Sequence, residues 1–144
     1  MWFGSVLVVL LAMAGTGCVT PRQHIATGPI DWETVGDRWT VHLVTQDEDG
    51  DERRTRLWIA VVGGTGVLRT GETRWGKNLR RDLHGGLLVR GVEHRVDVEF
   101  VEEEEMQKKI HEAFREKYGW QDRLVGVMTS DRYFLRLLPQ AADR

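Results

Sequence analysis

Apolar and polar side chains alternate along several short stretches of the chain, which is the pattern of β-strands buried on one face. The clearest examples are Trp39–Gln46 and Glu93–Val101. Thr55–Val62 is apolar on both faces from Leu57 onward, which predicts a strand at the centre of a sheet. With further strands predicted at residues 66–70, 87–90 and 133–138, the sheet has about six strands.

Glycines separate these strands at the positions of tight turns. Asp49-Gly50, Gly63-Gly64 and Gly91 each lie between two predicted strands. Such dipeptides favour short hairpins because glycine adopts positive φ without steric cost. The strands are therefore expected to pair with antiparallel neighbours.

Two stretches follow the helical period instead. In Glu102–Tyr118, apolar residues recur every three or four positions, acidic residues come first and basic residues come later, as the helix dipole favours. Gly71–Asp82 is a shorter helix with Trp75 and Leu79 on one face. Hairpins bridged by one long and one short helix predict a mainly β, α+β domain built as a small closed barrel.

The first 17 residues differ in composition from the rest. They contain no charged side chain, and the apolar run Val6–Ala14 is shorter than the ~20 residues that cross a bilayer, so residues 1–17 are typical of a secretory signal peptide. Cys18, the only cysteine, follows the small residues Gly15, Thr16 and Gly17. This arrangement resembles the bacterial lipoprotein signal, in which the cysteine is lipidated and becomes the new N-terminus.

That resemblance implies a location in the bacterial cell envelope, with a lipid anchor holding the protein to a membrane (the outer membrane in a Gram-negative cell). The alternatives are an ordinary cleaved signal or an uncleaved N-terminal anchor, with Cys18 unmodified. Residues 18–30 contain Pro21, Gly28 and Pro29 and predict a tether. The domain is expected at residues 31–139, followed by a tail at residues 140–144.

The formal net charge of −2 hides a segregation of charge along the chain. Residues 53–95 contain ten basic and three acidic side chains, which gives +7, whereas residues 31–52 contain eight acidic and one basic. A cationic block inside an acidic chain favours a small anionic partner. Few aromatic residues interleave with the basic ones, and the predicted signal exports the chain, so nucleic acid is not an expected partner.

The order of these segments resembles the flavin-reductase-like split barrel. The resemblance rests on TRLWIAVVGGTGVLRT, the helix RWGKNLRR, the hairpin LLVRGVEHRVDVEFV, and the later IHEAFREKYGW and YFLRLLP. This superfamily contains pyridoxamine phosphate oxidases and deazaflavin-dependent nitroreductases, and the present chain is similar to a small uncharacterised bacterial branch over residues 39–139. One element departs from the pattern, since the usual basic turn of the first hairpin is replaced by the acidic segment Gln46–Glu52.

The resemblance implies a cleft for FMN or a deazaflavin, whose phosphate is held by basic and polar residues. Carried across by position, these are Arg54, Thr55, Arg69, Thr70, Arg74, Lys77 and Asn78. Their chemistry agrees, because arginine offers a planar fork to phosphate oxygens and a helix N-terminus favours an anion. The alternative is that Lys77, Arg80 and Arg81 form an ordinary solvated helix face. Trp58 and Trp75 either belong to the core or stack on a flat ring.

No catalytic constellation is visible in the sequence. The five histidines fall in separate elements without ligand spacing, so no metal site is expected. Two functions therefore compete: a non-catalytic envelope module that binds a small anionic ligand, and a flavin- or deazaflavin-dependent oxidoreductase, in which the cofactor supplies the chemistry. The resemblance also implies a homodimer with the cleft at the subunit boundary. The binding hypothesis requires Arg54, Arg69 and Arg74 to converge on one pocket.

Overall fold

The computed structural model describes residues 24–128 and 132–141, so the predicted signal peptide and Cys18 lie outside the described residues. The described part contains eight strands and four helices. In chain order these are β1 (His24–Ala26), α1 (Trp32–Gly36), β2 (Val41–Gln46), β3 (Glu52–Leu57), β4 (Ala60–Val62), β5 (Thr65–Thr70), α2 (Arg74–Asp82), β6 (His84–Val89), β7 (Val92–Phe100), α3 (Glu104–Tyr118), α4 (Trp120–Met128) and β8 (Tyr133–Pro139).

Seven strands form one antiparallel sheet in the order β3-β2-β6-β7-β8-β5-β4. The remaining strand, β1, pairs in parallel with β7, where His24 lies opposite Val92. Three of the antiparallel pairs, β2–β3, β4–β5 and β6–β7, are hairpins, and their glycine-containing turns lie where the sequence predicts them. Gly63 and Gly64, for example, both have positive φ (58° and 71°) between β4 and β5. The mainly antiparallel α+β architecture predicted above is confirmed.

Two apolar clusters stabilise this sheet. The larger lies on the inner face and takes side chains from most strands, with Leu79 of α2 packed among them. The smaller lies on the other face of β4, β5 and β8, beneath Ile110, Phe114 and Tyr118 of α3. Adjacent residues of one strand therefore serve different clusters, as Val67 and Leu68 do.

The prediction that Thr55–Val62 forms one central strand is wrong. The chain breaks at Trp58 and Ile59 into β3 and β4, which lie at opposite ends of the strand order. The segment is apolar on both faces because Ile59 enters the inner cluster while Trp58 packs against the outer cluster. A crossing segment between two clusters therefore has the same apolar pattern as a central strand.

The end of α3 stabilises this crossing. The Tyr118 hydroxyl accepts a hydrogen bond from the backbone N–H of Ile59 (3.0 Å) and lies 2.8 Å and 2.9 Å from the carbonyl oxygens of Trp39 and Ile59. Lys117 Nζ donates to the carbonyl oxygens of Arg38 (2.6 Å) and Ile59 (2.7 Å). Burial raises the pKa of Tyr118 to about 12, so its hydroxyl keeps the proton that it donates. These hydrogen bonds satisfy backbone groups of Arg38, Trp39 and Ile59, which lie outside the strands and have no partner in the sheet ladder.

Two further segments differ from the sequence prediction. Residues 24–30, expected to belong to the tether, are part of the domain: β1 pairs with β7, Gly28 N–H donates to the Gln140 carbonyl (2.9 Å), and Ile30 is buried in the inner cluster. The short apolar piece near residues 124–128 belongs to α4. None of the helices in the described ranges is long and apolar enough to cross a membrane.

Replacing Tyr118 by Phe is expected to lower the free energy of unfolding by about 1–3 kcal/mol, because the Ile59 N–H then lacks its buried acceptor. Urea unfolding followed by circular dichroism measures the change. Tyr133→Phe is a matched control, since its hydroxyl bonds the exposed Glu72 carboxylate instead of a buried backbone group. An equal loss in the two variants would contradict the role given to Tyr118.

Candidate functional site

A cavity of about 530 Å³ lies between the N-terminal turn of α2 and the turn that joins β2 to β3. We call it the polar pocket because every side chain that lines it is charged or an amide. The lining residues are Asp47, Glu48, Asp49, Glu72, Arg74, Lys77 and Asn78.

The first turn of α2 is positioned by two threonines. Thr73 Oγ1 accepts from the Gly76 N–H (3.2 Å) as the helix N-cap, and it lies 2.6 Å from Thr70 Oγ1. A Cβ atom at position 76 would lie 2.9 Å from Thr73 Oγ1 and 3.0 Å from Thr70 Cγ2, so only glycine fits here. Thr70 is thus buried behind the pocket and supports the cap.

The floor of the pocket is a hydrogen-bonded group around Asp47. Arg53 donates to both Asp47 carboxylate oxygens, with its Nε 2.9 Å from Oδ1 and its Nη2 2.8 Å from Oδ2. The buried Asn78 donates to Asp47 Oδ1 (2.8 Å) and to Thr45 Oγ1 (3.1 Å). The Arg53 bond, followed by the Asn78 bond, lowers the pKa of Asp47 to about 2. Asp47 is therefore ionised at neutral pH and already paired.

Glu72 forms the opposite wall and is held in a similar way. It accepts from the Tyr133 hydroxyl (2.8 Å) and from both terminal nitrogens of Arg80 (3.3 Å and 3.0 Å). These bonds, that of Tyr133 first, lower the pKa of the Glu72 carboxyl below its ordinary value. We call Glu72, Arg80 and Tyr133 the dividing triad, because Glu72 faces the polar pocket whereas Arg80 and Tyr133 face a cavity on its other side.

The structure brings three of the predicted site residues together. Arg74, Lys77 and Asn78 line the polar pocket from α2, and the Arg74 side chain is 71% exposed, with Nη1 3.9 Å from Asp47 Oδ2. Arg54 and Thr55 lie instead on the edge strand β3, where Arg54 bonds to Glu52 at 2.8 Å. They occupy successive positions on that strand and so point to opposite faces.

Arg69 lies elsewhere, in the outer cluster. Its side chain is only 6% exposed, forms a salt bridge with Asp122, contacts His111 Nδ1 at 3.1 Å and stacks over the Phe114 ring. The prediction that Arg54, Arg69 and Arg74 converge on one pocket is therefore wrong. The physical reason is strand alternation, since Arg69 shares the face of Val67, beneath α3.

The cationic block is largely neutralised by nearby carboxylates. Besides Arg53 and Arg69, ion pairs join Arg54 to Glu52, Arg80 to Glu72, Arg81 to Asp82 and Arg95 to Glu93. The polar pocket itself holds four carboxylates and two cations. These residues fit the phosphate monoester of a flavin poorly, because the carboxylates repel a doubly charged anion.

The two tryptophans considered for ring stacking belong to the cores. Trp75 packs against the inner cluster, and Trp58 stacks on Tyr118 with ring centroids 4.2 Å apart. Sequence reasoning missed Asp47 and Glu72 as site residues. A signal for Asp47 existed, since Arg53 pairs with Thr45 across the hairpin and Asp47 lies two residues further along the same face.

Comparison with known proteins identifies the fold. Residues 31–135 match the model of a family described as an uncharacterized protein conserved in bacteria (DUF2255). No curated protein matches the sequence.

Three solved structures show the similarity. A conserved hypothetical protein from Mycobacterium tuberculosis is 24% identical, with a TM-score of 0.59, covering 78% of this chain and 82% of that one. The heme storage protein HutZ from Vibrio cholerae is 16% identical, with a TM-score of 0.60 and coverages of 77% and 88%. An F420-H2 dependent reductase is 14% identical, with a TM-score of 0.56 and coverages of 69% and 94%. These likenesses confirm the predicted split-barrel fold.

The hydrogen bonds to the Asp47 carboxylate predict that the folded protein loses stability in acid. Because folding lowers the pKa of Asp47 from 3.8 to about 2, its contribution to stability is complete above about pH 4 and is lost as the pH falls toward 2. Asp47→Asn is therefore expected to lose less stability than the wild type between pH 5 and pH 2, as measured by urea midpoints. Asp49→Asn, in the same turn, is expected to keep the wild-type dependence; identical curves for all three proteins would contradict the assignment.

Proposed function

We propose that this chain, which belongs to the DUF2255 family of uncharacterized bacterial proteins, is a non-catalytic binding protein that holds a small organic anion in the polar pocket. The observation that carries the proposal is the meeting of Arg74 and Lys77, at the first turn of α2, with the acidic turn of residues 47–49 across one cavity. The cations supply the attraction, and the carboxylates limit the charge that the pocket accepts.

The charges in the pocket support a ligand with a single negative charge. Asp47 and Glu72 are compensated inside the protein by Arg53 and Arg80. Arg74 and Lys77 then face Glu48 and Asp49 across the cavity. The N-terminus of α2 adds a favourable field for one anionic group, which Arg74 can bind through its planar fork.

The second candidate is a flavin- or deazaflavin-dependent oxidoreductase. It is supported by the F420-H2 dependent reductase among the fold neighbours. Another neighbour is named as a heme storage protein, so the fold also accommodates binding without a flavin. Glu48 and Asp49 favour the binding protein over the flavin enzyme, because their carboxylates line the pocket where the cofactor phosphate was expected.

A titration of the purified protein with FMN, coenzyme F420 and hemin separates these candidates. We expect a colourless protein with weak or absent FMN binding. We also expect the double variant Glu48→Gln, Asp49→Asn to bind FMN at least about tenfold more tightly than the wild type, because two like charges near the phosphate are removed. Flavin fluorescence and absorbance measure both results.

Arg74→Ala in the double-variant background is the matched control, and it is expected to abolish the gain in FMN affinity. Wild-type protein that is purified with a flavin or F420, or that binds either one tightly without the turn substitutions, would replace the binding proposal with the oxidoreductase.

We also propose that the protein works in the cell envelope, with residues 1–17 as a signal peptide and Cys18 as the lipidated residue. The support is the sequence pattern, together with the position of β1, which begins six residues after Cys18 and so joins the proposed anchor closely to the domain. A myristoyl-type chain alone binds membranes weakly, so the bacterial lipoprotein anchor would need more than one chain. The homodimer implied by the resemblance stays a prediction.

The N-terminal peptide of the membrane-bound wild-type protein is expected to begin at an acylated Cys18, and replacing Cys18 by Ser is expected to abolish this modification, because serine lacks the thiol that carries the lipid. Fractionation followed by mass spectrometry of the N-terminal peptide measures this. Wild-type protein whose N-terminal peptide begins at Met1 and carries an unmodified Cys18 would establish the uncleaved anchor instead.

A further inference from the structure

We propose that the cavity on the other side of the dividing triad is a second binding site, with a preference for small aromatic carboxylates. It has a volume of about 530 Å³ and lies among the C-terminus of α2, the end of β7, the beginning of α3 and the beginning of β8. We call it the aromatic pocket, because its apolar wall is formed by Leu83, Phe100, Val101, Tyr133 and Phe134.

The wall is suited to a flat ring. Phe100 and Tyr133 meet edge to face, with ring centroids 6.3 Å apart and planes at 87°. The Arg80 guanidinium lies 4.3 Å from the centroid of the Tyr133 ring and is fixed by its two bonds to Glu72. Mostly apolar walls with a few placed polar groups, in a volume of this size, are characteristic of small-molecule sites.

The rim carries a residue whose conformation is unfavourable. Leu83 adopts φ 57° and ψ 18°, the left-handed region, as the C-cap of α2. Glycine is the usual residue at such a position because it has no Cβ atom to clash. Leu83 is nevertheless 52% exposed at the pocket mouth. A leucine that is strained and half exposed contributes little to stability, and strain of this kind concentrates at functional sites.

The charges around the aromatic pocket give the preferred sign of the ligand. Arg80 and Arg132 line it together with a single carboxylate, that of Glu102. The backbone of the exposed Arg132 is held in place, because its N–H donates a hydrogen bond to the Thr70 carbonyl (2.9 Å). A carboxylate bound to Arg132 would place an attached ring against Leu83 and the Phe100–Tyr133 pair.

The test uses 2-naphthoate as the probe, with 2-naphthylmethylamine as the cationic analogue of the same ring. Isothermal titration of the wild-type protein is expected to show saturable binding of the carboxylate that is at least about tenfold tighter than that of the amine. Arg132→Gln is expected to remove this preference. Binding of both compounds with equal affinity to the wild type would overturn the ligand class.

Leu83→Gly gives the sharpest result, because stability and binding should move in opposite directions. The variant is expected to unfold at a higher temperature, since glycine relieves the left-handed strain, yet to bind 2-naphthoate about fivefold more weakly. Leu124→Ala removes a similarly exposed leucine from α4 and is expected to leave binding unchanged.

No saturable binding to the wild type, or unchanged affinity in Leu83→Gly, would overturn the proposal. Because the polar pocket is also proposed to hold a singly charged organic anion, 2-naphthoate can add a second binding event there, which Arg74→Ala is expected to weaken while the event that depends on Leu83 remains. Loss of every binding event in Arg74→Ala would place the probe in the polar pocket and would overturn the second site.

Discussion

The structure depends on how the chain passes from one edge of the sheet to the other at Trp58 and Ile59. The two strands on either side of this step belong to opposite ends of the strand order, so the backbone between them cannot bond within the sheet. Consecutive residues at the end of α3, Lys117 and Tyr118, supply the missing partners through their side chains. α3 therefore has two roles, since it satisfies these buried backbone groups and covers the outer cluster.

Electrostatic pairing limits the chemistry that this scaffold offers. Most arginines of the middle segment are held by carboxylates of the same domain, and Arg69 belongs to a buried group beneath α3. At the first turn of α2, two exposed cations, Arg74 and Lys77, share a pocket with four carboxylates. A protein built in this way is suited to selecting a ligand by shape and by a modest charge.

Much of the fold could be predicted from the sequence, because alternation and glycine turns are local signals. The hairpins and the long helix lie close to their predicted positions. The break at Trp58 could not be predicted, since a segment shared by two clusters is apolar on both faces, as a central strand is. For the candidate site, Arg74, Lys77 and Asn78 were found together because one helix turn carries them. The location of Arg69 required knowing which face of β5 is covered by α3.

The pairing of β1 with β7 has a mechanical consequence. The chain enters the domain through His24–Ala26, and these residues pair in parallel with Val92–His94, on a strand that also pairs with β6 and β8. A pull applied to the N-terminus reaches the domain first through this three-residue contact. The contact, with the Gly28 bond behind it, therefore acts as the first point of resistance between any membrane attachment and the barrel.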